Sequence, residues 1–372
     1  MLRAILICLA LASTAQAQGD TALAAQAAAE RLEAAGVMLQ QADRASDRIA
    51  ALTETVRAYE DGLVALRDGL RRAAIRQRAI ETELDARSDE VSRLLAVLLT
   101  MGRAPAPLLL LHPSGPLGTA RSGMIVSDVT PALQAKVDEL ALDLEEVSQL
   151  RAMQDSAADT LGQGLQGAQE ARAALAEAVS DRTDLPRRFI EDPVRTALLV
   201  ASTQTLAAFA GGLADLVDED LGGIGPDATS LKGTIALPVQ GAVLRRFNEA
   251  DSAGVVRPGL VIAARPRALV TTPVAATVRF RGPLLDYGNV VILEPAADVL
   301  FVLAGLAEVF GEAGEVLPQG TPVGMMGGEQ PDVDAILTES ASGAGASRSE
   351  TLYLEVREGQ SVIDPAAWFA LD

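Results

Sequence analysis

Apolar residues recur at alternating steps of four and three from Leu52 onward: Leu52, Val56, Tyr59, Leu63, Leu66, Leu70, Ala73, then Ile80, Leu84, Val91, Leu94, Leu98 and Met101. Only Gln77 and Arg87 interrupt this seam. Such a repeat over roughly seven heptads predicts a coiled-coil helix. No proline stands between Thr21 and Arg103, so a single helix of about 80 residues, ~120 Å at 1.5 Å per residue, is sterically open to the stretch. It is expected to stop at Gly102, because Pro105, Pro107 and Pro113 cannot continue it. A second helical pattern starts near Thr119, with seam positions Leu133, Val137, Leu140, Leu144 and Val147. It loosens at Gly162, Gly164 and Gly167 and resumes through Leu175 and Val179. Two long helices joined by an apolar connector predict an antiparallel hairpin with its elbow at residues 102–118.

Residues 193–217 read as a further amphipathic helix, with Pro193 suited to its first turn. Its apolar set is Leu198, Leu199, Leu206, Phe209, Leu213 and Leu216, a face that needs cover on the hairpin base or on the β-rich region. Gly222 to Pro226 reads as a linker. From Ile235 the texture changes to short β-branched runs separated by glycine and proline: Val239, Val243, Val261-Ile262, Val270, Val278 to Phe280, Val290 to Leu293, Val299 to Leu303, Val316 and Val323. Residues 327–350, rich in Gly, Ser, Asp and Glu, are expected to form a mobile loop. The expected class is α+β, a long antiparallel coiled-coil hairpin followed by a small all-β domain. The expected divisions are 1–17, 18–190, 191–230 and 231–372.

Residues 1–17 have the make-up of a cleaved secretory signal: Arg3, an apolar run from Ala4 to Ala12, and Ala15-Gln16-Ala17 before Gln18. The apolar run is too short to span a bilayer. Cys8, the only cysteine, lies inside this segment, so the mature chain offers neither disulfides nor thiol chemistry. These features point to the periplasm. With 31 basic and 50 acidic residues the net charge is −19, which opposes nucleic-acid binding. Aromatic content of 3% with abundant alanine and leucine suits long helices better than one large core.

His112 is the only histidine. That count removes two-His and three-His metal sites and Ser/His or Cys/His catalytic pairs. Asp332 and Asp334 lack the glycine and terminal glutamate of a calcium loop. No Gly-rich loop followed by Lys-Ser/Thr is present to cradle phosphate. No cofactor is expected.

Three motifs in the β-region occur in a telling order: Pro258-Gly259-Leu260-Val261-Ile262, then Asp286-Tyr287-Gly288-Asn289-Val290-Val291-Ile292, then Leu352-Tyr353-Leu354-Glu355-Val356-Arg357. Together they resemble the LytM (lysostaphin-type) endopeptidase domain. Working members carry H-x-G-x-D, a middle His and a late H-x-H, where this chain has Arg257 and Val261, Gly305, and Thr351 and Tyr353. None of the five supplies an imidazole or carboxylate to zinc. A signal peptide, a coiled coil and a degenerate LytM domain are together similar to the EnvC-type murein hydrolase activators.

That resemblance implies a non-catalytic periplasmic activator of N-acetylmuramoyl-L-alanine amidases in cell-wall remodelling and daughter-cell separation. It also implies docking of the coiled coil on an FtsE–FtsX-type division complex, with peptidoglycan as a further partner. Carried onto this sequence, it makes Arg257, Tyr287, Tyr353 and Arg357 the partner-binding groove. Leu199, Leu206, Phe209 and Leu213 become the lid that covers the groove at rest. Alternation places Tyr353, Glu355 and Arg357 on one strand face. Arg357 is expected there as an exposed charge open to a partner carboxylate, the competing reading being an internal pair. A peptidoglycan-binding scaffold and a periplasmic adaptor are the alternative functions. The adaptor reading is opposed by connectivity, since all helices here precede one unbroken β-segment.

Overall fold

The structure is a computed structural model. It describes residues 24–371 other than 25, 88, 90, 91, 94, 95, 97–114, 183, 184, 189–192, 204, 207, 211–226, 252, 253 and 343–348. Residues 1–17, the expected elbow as far as residue 114 with His112, the linker Gly222 to Pro226, and the seam positions Val91, Leu94, Leu98 and Met101 therefore lie outside the described residues, while the second helix, expected from near Thr119, already begins at Gly115. The fold class is the expected α+β, long helices followed by an antiparallel sheet.

The helices are α1 (residues 26–40), α2 (Ala45–Ala86), α3 (Gly115–Ser180), α4 (Pro193–Ser202) and α5 (Val333–Ser342). The strands are β1 (Gly241–Arg245), β2 (Leu260–Ala264), β3 (Leu269–Thr271), β4 (Ala276–Pro283), β5 (Asn289–Ala296), β6 (Val299–Val309), β7 (Val316–Leu317), β8 (Pro322–Met326), β9 (Glu350–Glu358) and β10 (Ser361–Ile363). They fall into two compact units. One takes in the chain up to Ala65, Gly162–Asp332 and the residues from Ala346; the other takes in Leu66–Leu161 and Val333–Gly345.

In the second unit Ala73, Ile80, Val147 and Leu150 form the seam, with Leu84 half-buried beside them. Arg76 bonds Glu146 through Nε at 2.6 Å, and Arg87 bonds Glu139 at 3.0 Å. Rising numbers on α2 meet falling numbers on α3, which makes the pair antiparallel. The two breaks in the seam have partners: Gln77 accepts from Gln154 Nε2 at 3.0 Å, and Arg87 forms the pair with Glu139. A polar pair in an apolar seam fixes register, since any slip leaves it unmatched. One expected seam residue is corrected. Leu144 is 54% exposed, and half-buried Asp143 takes its place between Leu140 and Val147, because steps of three and four can be placed in either order there. Within 327–350 the expected loop gives way to α5, whose Val333, Ile336 and Leu337 recur at helical spacing with Asp334 in the first turn.

In the first unit, the expected single helix from Thr21 is corrected to two. The chain turns at residues 41–44 between α1 and α2. The absence of proline permits a continuous helix but does not compel one. Buried Ala28 packs on Gly62, 3.6 Å from where that glycine's Cβ would stand, and Arg31 pairs with Asp61. Small residues on both helices let α1 double back against α2. Further contacts at the base explain two glycines of α3. A Cβ on Gly167 would strike the Tyr59 ring at 2.5 Å, and one on Gly164 would stand 3.1 Å from Leu63.

The sheet has the order β1-β2-β9-β6-β5-β4-β7, all antiparallel, with a β3–β8 ribbon joined through β8 to β6. The face carrying Leu260, Ile262, Leu352, Leu354, Phe301, Leu303, Val291 and Leu293 forms the main core with Trp368 and Phe369. Strict alternation then commits the intervening residues to the opposite face. That second face holds the site.

Candidate functional site

Register lays the second face out as rows. Val261 on β2 pairs with Tyr353 on β9, Tyr353 with Ala304 on β6, and Ala304 with Val290 on β5. The next row runs Glu355, Val302, Ile292, and the third joins Arg357 to Leu300. Three consecutive inward positions of β9 are thus polar beside the apolar cluster of this face.

These three satisfy one another. The Tyr353 hydroxyl donates to Glu355 Oε2 at 2.7 Å, and Arg357 Nη1 donates to Glu355 Oε1 at 3.0 Å. Arg357 Nη2 donates to the Gln360 carbonyl at 3.0 Å. Burial, with the Glu355 carboxylate alongside, pushes the Tyr353 hydroxyl well above the ordinary phenol range. Arg357 is only 3% exposed. The expectation of an exposed Arg357 is therefore corrected in favour of the internal pair. A lone guanidinium in this face would be costly, and the adjacent same-strand carboxylate removes that cost.

The other groove residues lie around the Tyr353 ring. The Tyr287 ring, half-buried in the turn before β5, has its centroid 6.3 Å from that of Tyr353. Arg257 is exposed, and its positive charge is felt at the Tyr353 hydroxyl. Gly259 makes room for the ring: a Cβ there would meet Tyr353 carbons at 2.6 and 2.7 Å. The structure brings Arg257, Tyr287 and Tyr353 together. Arg357 lies four residues further along β9, ~13 Å away at about 3.3 Å per residue.

A segment from the same chain lies over this face. The expected helix over 193–217 is corrected: α4 ends at Ser202, where Thr203 Oγ1 turns back to the Leu199 carbonyl at 2.8 Å. A new helical turn then starts at Thr205, whose Oγ1 accepts from Ala208 N at 3.1 Å. That turn delivers Leu206, Phe209 and Ala210, all buried, into one cluster with Val261, Phe280, Leu284, Val290, Ile292, Val302, Ala304 and Tyr353. Phe209 stands edge-on to Phe280 at 4.7 Å between centroids. Leu199 and Val200 are half-buried at the margin, while Leu198 is 70% exposed and takes no part. Leu213 and Leu216 lie outside the described residues.

Sequence reading missed the anchor ahead of this segment. Arg188 Nη1 donates to Glu294 Oε2 on β5 at 2.8 Å, and Arg188 N donates to the Gly314 carbonyl at 2.7 Å. Neither residue belongs to a motif. Glu294 gives one signal, an acid in the β-branched run of a central strand, a place that demands a cation.

The domain that the motifs resemble carries zinc, and the residues present do not fit that ion. Val261 and Tyr353 face each other where ligands would be needed, and the Tyr353 hydroxyl is committed to Glu355. Gly305 holds φ +93°, and a Cβ there would come within 2.7 Å of the Thr351 carbonyl. Among the described residues no three His, Cys, Asp or Glu side chains stand together as a metal-holding group. Also among the described residues, no helix is long and apolar enough to cross a membrane.

No protein-family model matches the chain. An uncharacterized protein of Neisseria meningitidis serogroup B is 25% identical over 138 residues, which are 37% of this chain and 20% of that protein. This chain therefore spans about a fifth of that relative's length. Among solved structures, Csd3 of Helicobacter pylori is matched at 19% identity and TM-score 0.28, over 37% of this chain and 35% of that one. A zinc-containing peptidase of Vibrio cholerae is matched at 16% identity and TM-score 0.28, over 37% of this chain and 40% of its own. A variant of the catalytic domain of the M23 protein EnpA of Enterococcus faecalis gives 14% identity and TM-score 0.27, over 34% of this chain and 89% of that one. Superpositions this loose bear on neither activity nor ligand.

Proposed function

We propose that this chain is a non-catalytic activator of peptidoglycan amidases, exported to the periplasm, and that the face around Tyr353 is where it engages its partner. The observation that carries the reading is the pairing of Val261 with Tyr353 beneath Leu206 and Phe209. Two of the positions that correspond to zinc ligands in the resembled domain, Val261 and Tyr353, are here buried in an apolar cluster with the chain's own segment. A covered apolar face rimmed by Arg257 and Tyr287 suits a partner that displaces the cover better than it suits hydrolysis. The partner proposed is an N-acetylmuramoyl-L-alanine amidase, with an FtsE–FtsX-type complex acting on the hairpin and with peptidoglycan as a further ligand.

The test uses the mature chain, a cognate amidase and dye-labelled sacculi. Dye release by the amidase should rise on adding the chain, while the chain alone releases none. A variant with Leu206→Glu and Phe209→Glu, which cannot keep the cover seated, should stimulate more than the unaltered chain. Binding to sacculi without stimulation by either form would instead favour the peptidoglycan-scaffold function.

A further inference from the structure

The cover is not the only helical element seated on the sheet. The base of the hairpin, α2 up to Ala65 and α3 from Gly162, belongs to the same compact unit, and its attachment is of another kind. Ile49, Leu52, Val56, Ala171, Leu175 and Val179 pack with Leu269 of β3 and Met325 of β8. Through this apolar contact runs a buried polar network centred on Glu60. Its Oε1 accepts from Arg172 Nη2 at 2.8 Å and from the Leu269 backbone N at 3.3 Å. Its main-chain carbonyl accepts from Arg265 Nη1 at 2.9 Å, and Arg172 Nη1 continues to Gln330 at 3.1 Å. Both side chains of the Glu60–Arg172 pair are at least nine-tenths buried.

Two further bonds flank the hub. Arg57 Nη2 donates to Thr271 Oγ1 at 2.8 Å, and Arg182, just past α3, pairs with buried Glu315 at 3.0 Å. The Leu269 N–H points away from β8 toward α2. Glu60 and Arg172 both stand on the hairpin and would stay paired. Lifting the base would strand the Leu269 N–H, part the Arg265 guanidinium from the Glu60 carbonyl, and split the buried Arg182–Glu315 pair. The Arg182–Glu315 pair strongly resists separation, because each half left behind is an uncompensated buried charge, and the stranded Leu269 N–H adds its own cost. The cover seats Leu206, Phe209 and Ala210 by apolar contact, which yields by degrees as side chains slide out.

We infer that the hairpin base is a fixed mount locked to the sheet through Glu60 and Arg182, so that the Tyr353 face opens by displacement of residues 193–210 while the base stays seated. This rests on the activator reading, in which that segment shields the partner surface. The Glu60–Arg172 pair holds α2 to α3 and fixes the carboxylate that receives the Leu269 N–H. The buried Arg182–Glu315 pair tolerates one geometry, so it fixes position as well as contact.

Two experiments on the whole mature chain test this. In the first, native-state hydrogen exchange, the Leu269 amide should open together with the sheet core, at the same protection as Val302 on β6. Glu60→Gln, which keeps the shape but removes the charge, should lower Leu269 protection roughly 10- to 100-fold while Val302 follows only the global stability. Earlier exchange of Leu269 in the unaltered chain, in step with α2 amides, would overturn the mount. In the second, Arg57→Cys with Thr271→Cys is bridged by a short bismaleimide, which is site-selective because the mature chain lacks cysteine. Bridged and unbridged forms should stimulate an amidase equally, and loss of stimulation on bridging alone would overturn the proposal. If the unaltered chain stimulates no amidase, the activator reading fails, and the exchange measurement still decides the mount.

Discussion

The Tyr353 hydroxyl donates to Glu355, two residues along the same strand, at 2.7 Å. A side-chain bond between neighbours on one face of β9 needs no help from elsewhere in the fold. It converts the centre of the groove from a place where a phenol could ionise or bind metal into a closed pair.

Tyr353 should therefore keep its proton in alkali. Its folded pKa is raised above the free value of about 10. The stabilisation this represents is complete below about pH 10 and is lost as pH rises above it. At about pH 11 the folded chain and Tyr353→Phe should show the same near-ultraviolet tyrosinate absorbance. After unfolding, the unaltered chain should gain one more tyrosinate than the variant. An extra tyrosinate in the folded chain at that pH would mean that Tyr353 is not closed off.

Arg357 is expected to act on stability. Arg357→Met leaves the Glu355 carboxylate buried without its cation, a change that costs about 3–5 kcal/mol. Adding Glu355→Gln should recover a large part, because the stranded charge goes with it. Thermal or urea unfolding of the single and double variants measures the recovery. Unchanged melting of Arg357→Met would show that the pair is solvated.

Phe209→Ala should loosen the cover selectively. Truncating a buried phenylalanine costs about 3–5 kcal/mol in a core. Here the loss falls on a segment that can open locally. Limited proteolysis within 193–210 should accelerate, while the sheet, followed by near-ultraviolet circular dichroism of buried Trp368, melts within a few degrees of the unaltered chain. Slow cleavage of the variant would place the segment among the permanent core.

Zinc should be dispensable. Elemental analysis of the purified chain is expected to give well under one zinc per chain, and a strong chelator should leave the melting temperature unchanged. A chelator-induced fall in melting temperature would require a ligand set beyond the five positions of the resembled zinc site.

Much of the architecture is legible in the chain because it follows from short-range periodicity. Steps of three and four from Leu52 to Ile80 find the hairpin seam, and alternation in Val290 to Leu293 and Val299 to Leu303 finds the central strands. The errors arise where periodicity leaves a choice. A helix without proline can still turn, as between α1 and α2, if Ala28 and Gly62 reward close approach. Leu140 and Val147 can be joined through Asp143 or Leu144 with equal regularity. At the candidate site, Tyr287 and Tyr353 are found by motif. The buried state of Arg357 is set by Glu355, a neighbour that sequence reading placed on the same face without assigning it the pair. Arg188 with Glu294 and Glu60 with Arg172 join residues 106 and 112 positions apart. No local pattern encodes such distances.

The anchor at Arg188 and Glu294 also sets a number for competition. The chain is fastened to β5 at Arg188, and the first buried residue of the cover, Leu206, comes only a short way later. A ligand tied to its own binding face by so short a tether is present at an effective concentration on the order of millimolar. Any partner drawn to the same face meets an occupant that dilution never removes. Its apparent affinity is reduced in proportion to the fraction of molecules in which the face is bare. Lowering the protein's concentration in the cell would not release it; lengthening or cutting the stretch between Arg188 and Leu206 would.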